Sequence, residues 1–97
     1  MDTEIVTMLR LYVSGRTQRT EQAIRNLQKM CEGRLQGRYS LEVMDVLEKP
    51  ELAEEEHILA TPTLIRYSPP PVRRIVGDLS NAKKVLEGLD LMSVPSD

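Results

Sequence analysis

The chain has 97 residues, of which 40% are hydrophobic and 29% charged, with a net charge of −2. This length allows one core, so residues 1–97 are expected to form a single domain. The slight acidity and the three tyrosines, without Phe or Trp, argue against nucleic acid as a partner. One cysteine, no signal peptide and no apolar run of roughly 18 residues predict a cytoplasmic protein that neither crosses nor binds a membrane.

The first half of the chain predicts a βαβ unit. Residues 8–13 and 39–46 alternate between the two faces of a strand. Between them an apolar stripe runs from Thr17 to Glu32, which indicates a helix that Thr17 or Thr20 can cap. The stripe consists of Ala23, Ile24, Leu27, Met30, Cys31 and Leu35. Strand, helix and strand imply parallel pairing through a right-handed crossover.

A short helix is predicted from Pro50 through His57. Proline suits the first helical turn, where its missing N–H has no intrahelical partner to lose. The apolar residues of this region are expected to reach the core, and its run of glutamates to face water. These two sets are Leu52, Ile58 and Leu59, and Glu54, Glu55 and Glu56.

The runs Thr63–Tyr67 and Val72–Val76 favour strands and predict a hairpin. Its loop contains Pro69, Pro70 and Pro71, which cannot sit inside a paired central strand. Ser80 is expected to cap a last helix. The two ends of the chain, residues 1–7 and 93–97, are expected to be flexible.

The predicted order is therefore an α/β fold, strand-helix-strand followed by helix-strand-strand-helix, which is the thioredoxin-like βαβαββα arrangement. Thr61 and Pro62 lie directly before the third strand, where thioredoxin-like folds carry a cis-proline. Each X–Pro bond lies only roughly 0.5–1 kcal/mol from its other isomer. Four prolines at the hinges, Pro62, Pro69, Pro70 and Pro71, are thus compatible with a slow conformational switch.

Redox and metal chemistry find no support in the sequence. A thioredoxin-type enzyme needs an activated cysteine at the end of the first strand, but Ser14 to Thr17 contain none. Cys31 belongs to the helix stripe, where a buried and inert thiol is expected. His57 is the one histidine, so a zinc site is not predicted. No catalytic residue and no cofactor are assigned.

Three arginines, Arg66, Arg73 and Arg74, cluster around the predicted hairpin. They could bind phosphate or a carboxylate surface, or simply solubilise an edge strand. Both interpretations stay open, because neighbouring Arg73 and Arg74 must point to opposite faces of a strand.

Nearly the whole chain, from Leu9 to Leu91, resembles the KaiB family. The segment Ala60-Thr61-Pro62-Thr63-Leu64, followed by Pro69-Pro70-Pro71-Val72-Arg73-Arg74-Ile75, is the most specific part. Supporting fragments are Leu11-Tyr12-Val13-x-Gly15, Asp45-Val46-Leu47, Pro50-x-Leu52-Ala53-Glu54, Gly77-Asp78-Leu79-Ser80 and Gly88-Leu89-Asp90-Leu91.

The resemblance implies a non-enzymatic clock protein with two folds for one sequence. Its ground state self-associates, as a tetramer or dimer, with a second half that runs strand-helix-helix-strand. Its rare state is a thioredoxin-like monomer that binds the ATPase ring of KaiC. Gly88 and Asp90 match positions that hold the ground state in the family, and Ala at position 88 is expected to favour the thioredoxin-like form.

Two departures from the family qualify these expectations. Glu42 replaces a lysine that cyanobacterial members carry on the KaiA-facing strand, which argues against KaiA as a partner. His57 stands where a lysine on the KaiC-facing helix is common. The resemblance therefore points to a bacterium with a KaiB–KaiC pair, and assigns partner contacts to Glu54, His57, Arg66, Arg73 and Arg74.

Two other classes of protein are compatible with the fold. One is the KaiB-like sensor domain of a histidine kinase such as SasA, which also binds KaiC; the proline-arginine segment and the end at Asp97 favour KaiB. The other is a diverged thioredoxin-like redox protein, which would require rapid labelling of Cys31 in the native state.

Overall fold

A computed structural model describes residues 6–77 and 79–89 of the chain. Asp90 and residues 1–5 and 93–97, for which the sequence made predictions, lie outside the described residues. The elements are β1 (Thr7–Val13), α1 (Gln18–Leu35), β2 (Tyr39–Asp45), α2 (Pro50–Glu55), β3 (Thr63–Ser68), β4 (Arg73–Val76) and α3 (Ala82–Gly88). This order confirms the α/β, thioredoxin-like prediction.

The four strands form one mixed sheet in the order β2-β1-β3-β4. β1 pairs with β2 in parallel, as a βαβ unit requires, and with β3 in the antiparallel sense. β4 completes the hairpin with β3 and is an edge strand. The two central strands therefore carry the core, and both halves of the sequence contribute one of them.

The helix boundaries differ from the predicted ones at three points. α1 passes Glu32 and Gly33 and ends at Gln36, which adopts a left-handed conformation with φ 52°. α2 ends two residues before His57. Asn81, and not Ser80, caps α3, because the Asn81 side chain accepts from the N–H of Lys84 at 3.1 Å.

The start of the first strand is also earlier than predicted. Thr7 belongs to β1, is buried, and donates its N–H to the carbonyl of Arg38 at 3.1 Å. At the start of α1, the Thr17 side chain accepts from the N–H of Thr20 at 3.1 Å, so Thr17 is the cap of the two candidates.

The core lies between the sheet and the helices α1 and α3. Its buried side chains are Leu9, Leu11, Val13, Ile24, Leu27, Cys31, Leu64, Leu79, Val85 and Leu89. The opposite face of the sheet buries Tyr12, Thr63 and Ile65. Met8, on the same face as Tyr12, remains 44% exposed, so this second face is covered at one end only. Among residues 6–77 and 79–89, no helix is both long and apolar enough to cross a membrane.

Candidate functional site

Helix α2 and the turn after it form the candidate docking surface. Pro50 lies in the first turn, as predicted, and no side chain caps the helix start. No residue of this six-residue helix is fully buried. Because so short a helix has little stability of its own, contacts from the sheet must hold it in place.

The turn after α2 directs apolar side chains to solvent. His57 has φ 57°, a left-handed conformation that ends the helix, and the N–H of Ile58 donates to the carbonyl of Ala53 at 2.8 Å. The chain then leaves with Leu59 95% exposed. The prediction that Leu59 reaches the core is therefore wrong, since it assumed a helix that continues through position 57.

The structure brings together Glu54 and His57, two of the five residues predicted to contact a partner. Both line a shallow depression with exposed Leu59 on its rim. The remaining lining residues are Pro50, Glu51, Ala53 and Ile58. A single exposed leucine is ordinary on a protein surface, so the candidate docking surface is defined by the whole depression and not by Leu59 alone.

The three arginines of the hairpin region have three different environments. The Arg74 guanidinium donates to the carbonyls of Glu56 at 3.0 Å and His57 at 3.4 Å, so it braces the turn after α2. Arg73 is exposed and lies opposite Arg66 in the β3–β4 register, on the face away from this turn. Only Arg74 of the three therefore contacts the candidate docking surface.

Arg66 is not a surface residue, and its assignment to an exposed arginine cluster is corrected. It is 4% exposed, and its guanidinium donates to the carbonyls of Leu89 at 2.7 Å and Pro71 at 2.8 Å. Its Nε–H has no partner among the described residues. Arg66 thus ties the end of α3 and the proline loop to β3, and in this conformation no partner can reach it.

A chain of polar contacts crosses the partly open face of the sheet towards α2. Arg10 Nη1 donates to the Tyr12 hydroxyl at 3.1 Å, and the Tyr12 and Tyr67 hydroxyls lie 3.2 Å apart. Tyr67 donates to Glu56 Oε1 at 3.2 Å, so Glu56 does not simply face water as predicted. Arg10 also donates through Nε to Glu42 Oε1 at 3.0 Å.

Burial and hydrogen bonding raise the pKa values of two side chains in this series of polar contacts. Burial first, and then the hydrogen bond with Tyr12, raise the pKa of Tyr67 above its ordinary value. The hydrogen bond with Tyr12 is the main reason that the pKa of Arg10 is also raised. Sequence reasoning missed this chain, although the alternation of β1 had already placed Arg10 and Tyr12 on one face.

The predicted fold-switch residues are distributed over the hairpin and α3. The Thr61–Pro62, Ser68–Pro69 and Pro70–Pro71 peptide bonds are cis. Pro62 precedes β3 directly, and Pro69 to Pro71 form the loop before β4. Gly88 is the last residue of α3, and Asp90 lies outside the described residues.

A cavity of about 580 Å³ lies where thioredoxin-like enzymes carry their cysteines. Ser14, Thr17, Thr61 and Pro62 are among the residues that line it. Cys31 lies elsewhere, in the core, where burial raises its pKa to about 11. In the described part of the chain, no group of three or more His, Cys, Asp or Glu residues could hold a metal ion.

Comparison with known proteins places the chain among relatives of clock proteins. It matches the KaiB domain over residues 10–91. It is 52% identical over 85 residues to circadian clock protein KaiB3 of Synechocystis sp., which is 88% of this chain and 83% of that protein. The N-terminal domain of Synechococcus elongatus SasA has the same fold, with a TM-score of 0.76 and 20% identity over 99% of this chain and 94% of that one. Mitochondrial thioredoxin 3 from Saccharomyces cerevisiae gives a TM-score of 0.68 and 17% identity over 90% of this chain and 79% of that one.

Proposed function

The chain belongs to the KaiB family, and on this premise we propose that it is a non-enzymatic clock or timer protein that binds the KaiC ATPase ring. By binding, it regulates the phosphorylation and ATPase cycle of that ring in the cytoplasm. The observation that carries the proposal is the family match over residues 10–91, which covers the three helices of the described residues and the sheet except for the first three residues of β1.

The docking surface for KaiC is the end of α2 with its turn. Glu54 and His57 line one depression there, and Leu59 supplies an exposed apolar side chain. An apolar side chain that becomes buried on binding, with polar groups around it, is the usual composition of a protein interface. Arg74 supports this surface through the carbonyls of Glu56 and His57.

The described conformation is the KaiC-binding state, and a second fold is populated in a homo-oligomer, a tetramer or dimer. The second half of the chain suits such a change, because α2 and α3 have only six and seven residues. Pro62, Pro69, Pro70, Pro71, Gly88 and Asp90 are the proposed switch positions. Two packings of one sequence require a difference of only a few kcal/mol.

KaiA is not proposed as a partner. The Glu42 side chain is 61% exposed on β2 and pairs with Arg10 at 3.0 Å. This surface presents a carboxylate where the family resemblance implies a lysine in cyanobacterial members. A reversal of charge at a docking position costs affinity through like-charge or unpaired contacts.

The sensor-domain interpretation is less well supported. The chain shares 52% identity with KaiB3 but 20% with the SasA domain, although the latter shares its fold. Since the fold hosts both kinds of protein, identity over the chain supports the clock-protein interpretation over the sensor-domain one.

The test is size-exclusion chromatography with light scattering, on the chain alone and with a KaiC hexamer and ATP. The wild type is compared with Gly88→Ala/Asp90→Arg. We expect an oligomeric wild type that binds KaiC slowly and a monomeric variant that binds fast, because the oligomer withdraws the binding-competent state.

The alternatives give different results in the same experiment. Two monomers that bind KaiC at once would contradict the fold switch and leave KaiC binding intact. No complex with either protein would contradict the assignment of KaiC as the partner.

A further inference from the structure

The polar contacts between Arg10 and Glu56 form a directed chain. The Tyr67 hydroxyl has one proton and donates it to the Glu56 carboxylate. Tyr12 must therefore donate to Tyr67, while its own oxygen accepts from Arg10. The chain thus leads from a cation to an anion through two phenols, an arrangement in which each bond polarises and strengthens the next.

Burial keeps water from replacing the hydrogen bonds of this series. Tyr12 is fully buried, so its hydroxyl depends on Arg10 and Tyr67 for its hydrogen bonds. Arg10 also lies over the Tyr67 ring, 5.2 Å from the centroid, and holds the ring by a cation–π contact. The position of the Tyr67 hydroxyl is therefore fixed from two directions.

Tyr67 lies at a register shift between β1 and β3. Met8 pairs with Ser68, but its neighbour Leu9 pairs with Arg66, so Tyr67 is the extra residue on β3. Bulges of this kind reorient a side chain locally and are found near functional sites. Here the residue without a register partner is the one whose side chain contacts the end of α2.

The contact matters because little else holds this part of the chain. α2 has no fully buried residue. Its C-terminal end is fixed to the sheet by the Glu56 side chain on Tyr67 and by the Glu56 and His57 carbonyls on Arg74. These contacts set the position of His57 and of the exposed Leu59.

We propose that Tyr67 is a positioning residue for partner binding: through Glu56 it fixes the end of α2, and thereby orders the docking surface before KaiC arrives. This inference rests on the proposed function, and deepens it by adding residues that do not themselves touch the partner. Ordering a surface in advance lowers the entropy lost on binding. The role of Arg74 is of the same kind, since its guanidinium holds the turn by donating to the carbonyls of Glu56 and His57.

The test compares Tyr67→Phe with Tyr39→Phe in the full chain. Tyr39→Phe is a matched control, because it removes another phenol hydroxyl, which donates to Glu32 at 3.0 Å on the α1 side. Amide hydrogen exchange over residues 54–60 is measured on the free proteins in the Gly88→Ala/Asp90→Arg background, which is expected to hold the described fold. Association and dissociation rates are measured on the KaiC hexamer with ATP. Glu56→Gln, which keeps an acceptor for Tyr67, is the conservative variant, and Glu56→Ala removes it.

We expect Tyr67→Phe and Glu56→Ala to exchange about three- to tenfold faster over residues 54–60 and to dissociate from KaiC faster by a similar factor. Tyr39→Phe and Glu56→Gln should stay near the wild type. The dissociation rate is the informative quantity, because a change in the population of the binding-competent fold alters mainly the association rate.

Two results would overturn the inference. One is a Tyr67→Phe variant that dissociates like Tyr39→Phe, and the other is unchanged exchange over residues 54–60. If the wild type does not bind KaiC at all, the proposed function fails by itself. The exchange data then still decide whether Tyr67 holds the end of α2.

Discussion

Gly88 and Ile75 are in close apposition: a Cβ atom placed on Gly88 would lie 2.6 Å from Cδ1 and 2.7 Å from Cγ1 of Ile75. Real Cβ atoms do not approach other heavy atoms so closely, so an alanine at position 88 requires Ile75 to move. The sequence led to the expectation that Gly88→Ala favours this fold through helix propensity, by about 1 kcal/mol. The contact with Ile75 opposes part of that gain, but Ile75 is only half-buried and its outer atoms can shift, so the cost is expected to be less than the roughly 1–3 kcal/mol of crowding in a rigid core.

We predict that Gly88→Ala stabilises this fold by less than the full helix-propensity gain of about 1 kcal/mol, and that the gain returns in an Ile75→Ala background. Urea unfolding of the monomer, with both single variants and the double variant, gives the coupling energy. Gly33→Ala in α1 is the control, because nothing lies within 4 Å of a Cβ placed there. Equal effects of Gly88→Ala in the two backgrounds would show that Ile75 moves aside without cost.

Arg66 is predicted to hold two distant segments at once. Arg66→Met keeps the length of the side chain and its aliphatic part, but it leaves the carbonyls of Leu89 and Pro71 without their donor. We expect a loss of about 1–3 kcal/mol in unfolding free energy, with faster amide exchange in α3 and β4 together. Arg73→Met is the control, since Arg73 is exposed and should change stability by less than about 0.5 kcal/mol. Similar values for the two variants would contradict the role of Arg66.

The sequence was sufficient to predict elements that have one buried face. In β1, Leu9, Leu11 and Val13 are buried against α1, as their alternation indicated. In α1 the apolar stripe is the core-facing surface, with Ile24 and Leu27 buried. In both elements, local period and packing lead to the same structure.

The sequence was insufficient where a strand is buried on both faces. Residues 63–66 of β3 are all buried, so no alternation reveals that Arg66 lies inside. The contact of Tyr12 with Tyr67 joins residues 55 positions apart. No local pattern encodes it, because it depends on the pairing of β1 with β3 and on the bulge at Tyr67.

The prediction that Leu59 reaches the core was wrong for a conformational reason. Ile58 and Leu59 continue the apolar pattern of α2, but His57 adopts φ 57° and ends the helix before them. Histidine is one of the few non-glycine residues enriched in this conformation, so the sequence carried only a weak signal for the turn. The most exposed leucine of the described residues was thereby assigned to the core.

Cys31 is predicted to make the fold sensitive to alkaline pH. Its pKa rises from 9.0 to about 11 because the folded protein buries the thiol. The folded state therefore keeps a proton that the unfolded state loses, so this contribution to stability is present below pH 9 and is lost between pH 9 and 11. The midpoint temperature of thermal unfolding should fall more steeply between pH 9 and 11 for the wild type than for Cys31→Ala. Parallel declines, or rapid thiol labelling of the native protein at pH 8, would contradict the burial of Cys31.

Glu42 is predicted to contribute little to stability although it pairs with Arg10. Their contact of 3.0 Å joins side chains that are 61% and 29% exposed, and exposed ion pairs contribute roughly 0–1 kcal/mol. Glu42→Gln should therefore lower the unfolding free energy by less than about 0.5 kcal/mol, and 1 M salt should abolish the difference. Tyr67→Phe provides the comparison, because it interrupts the buried side of the same network and its cost should persist at 1 M salt. If Glu42→Gln cost more than Tyr67→Phe, then the exposed carboxylate, and not the tyrosine pair, would be what holds Arg10 in place.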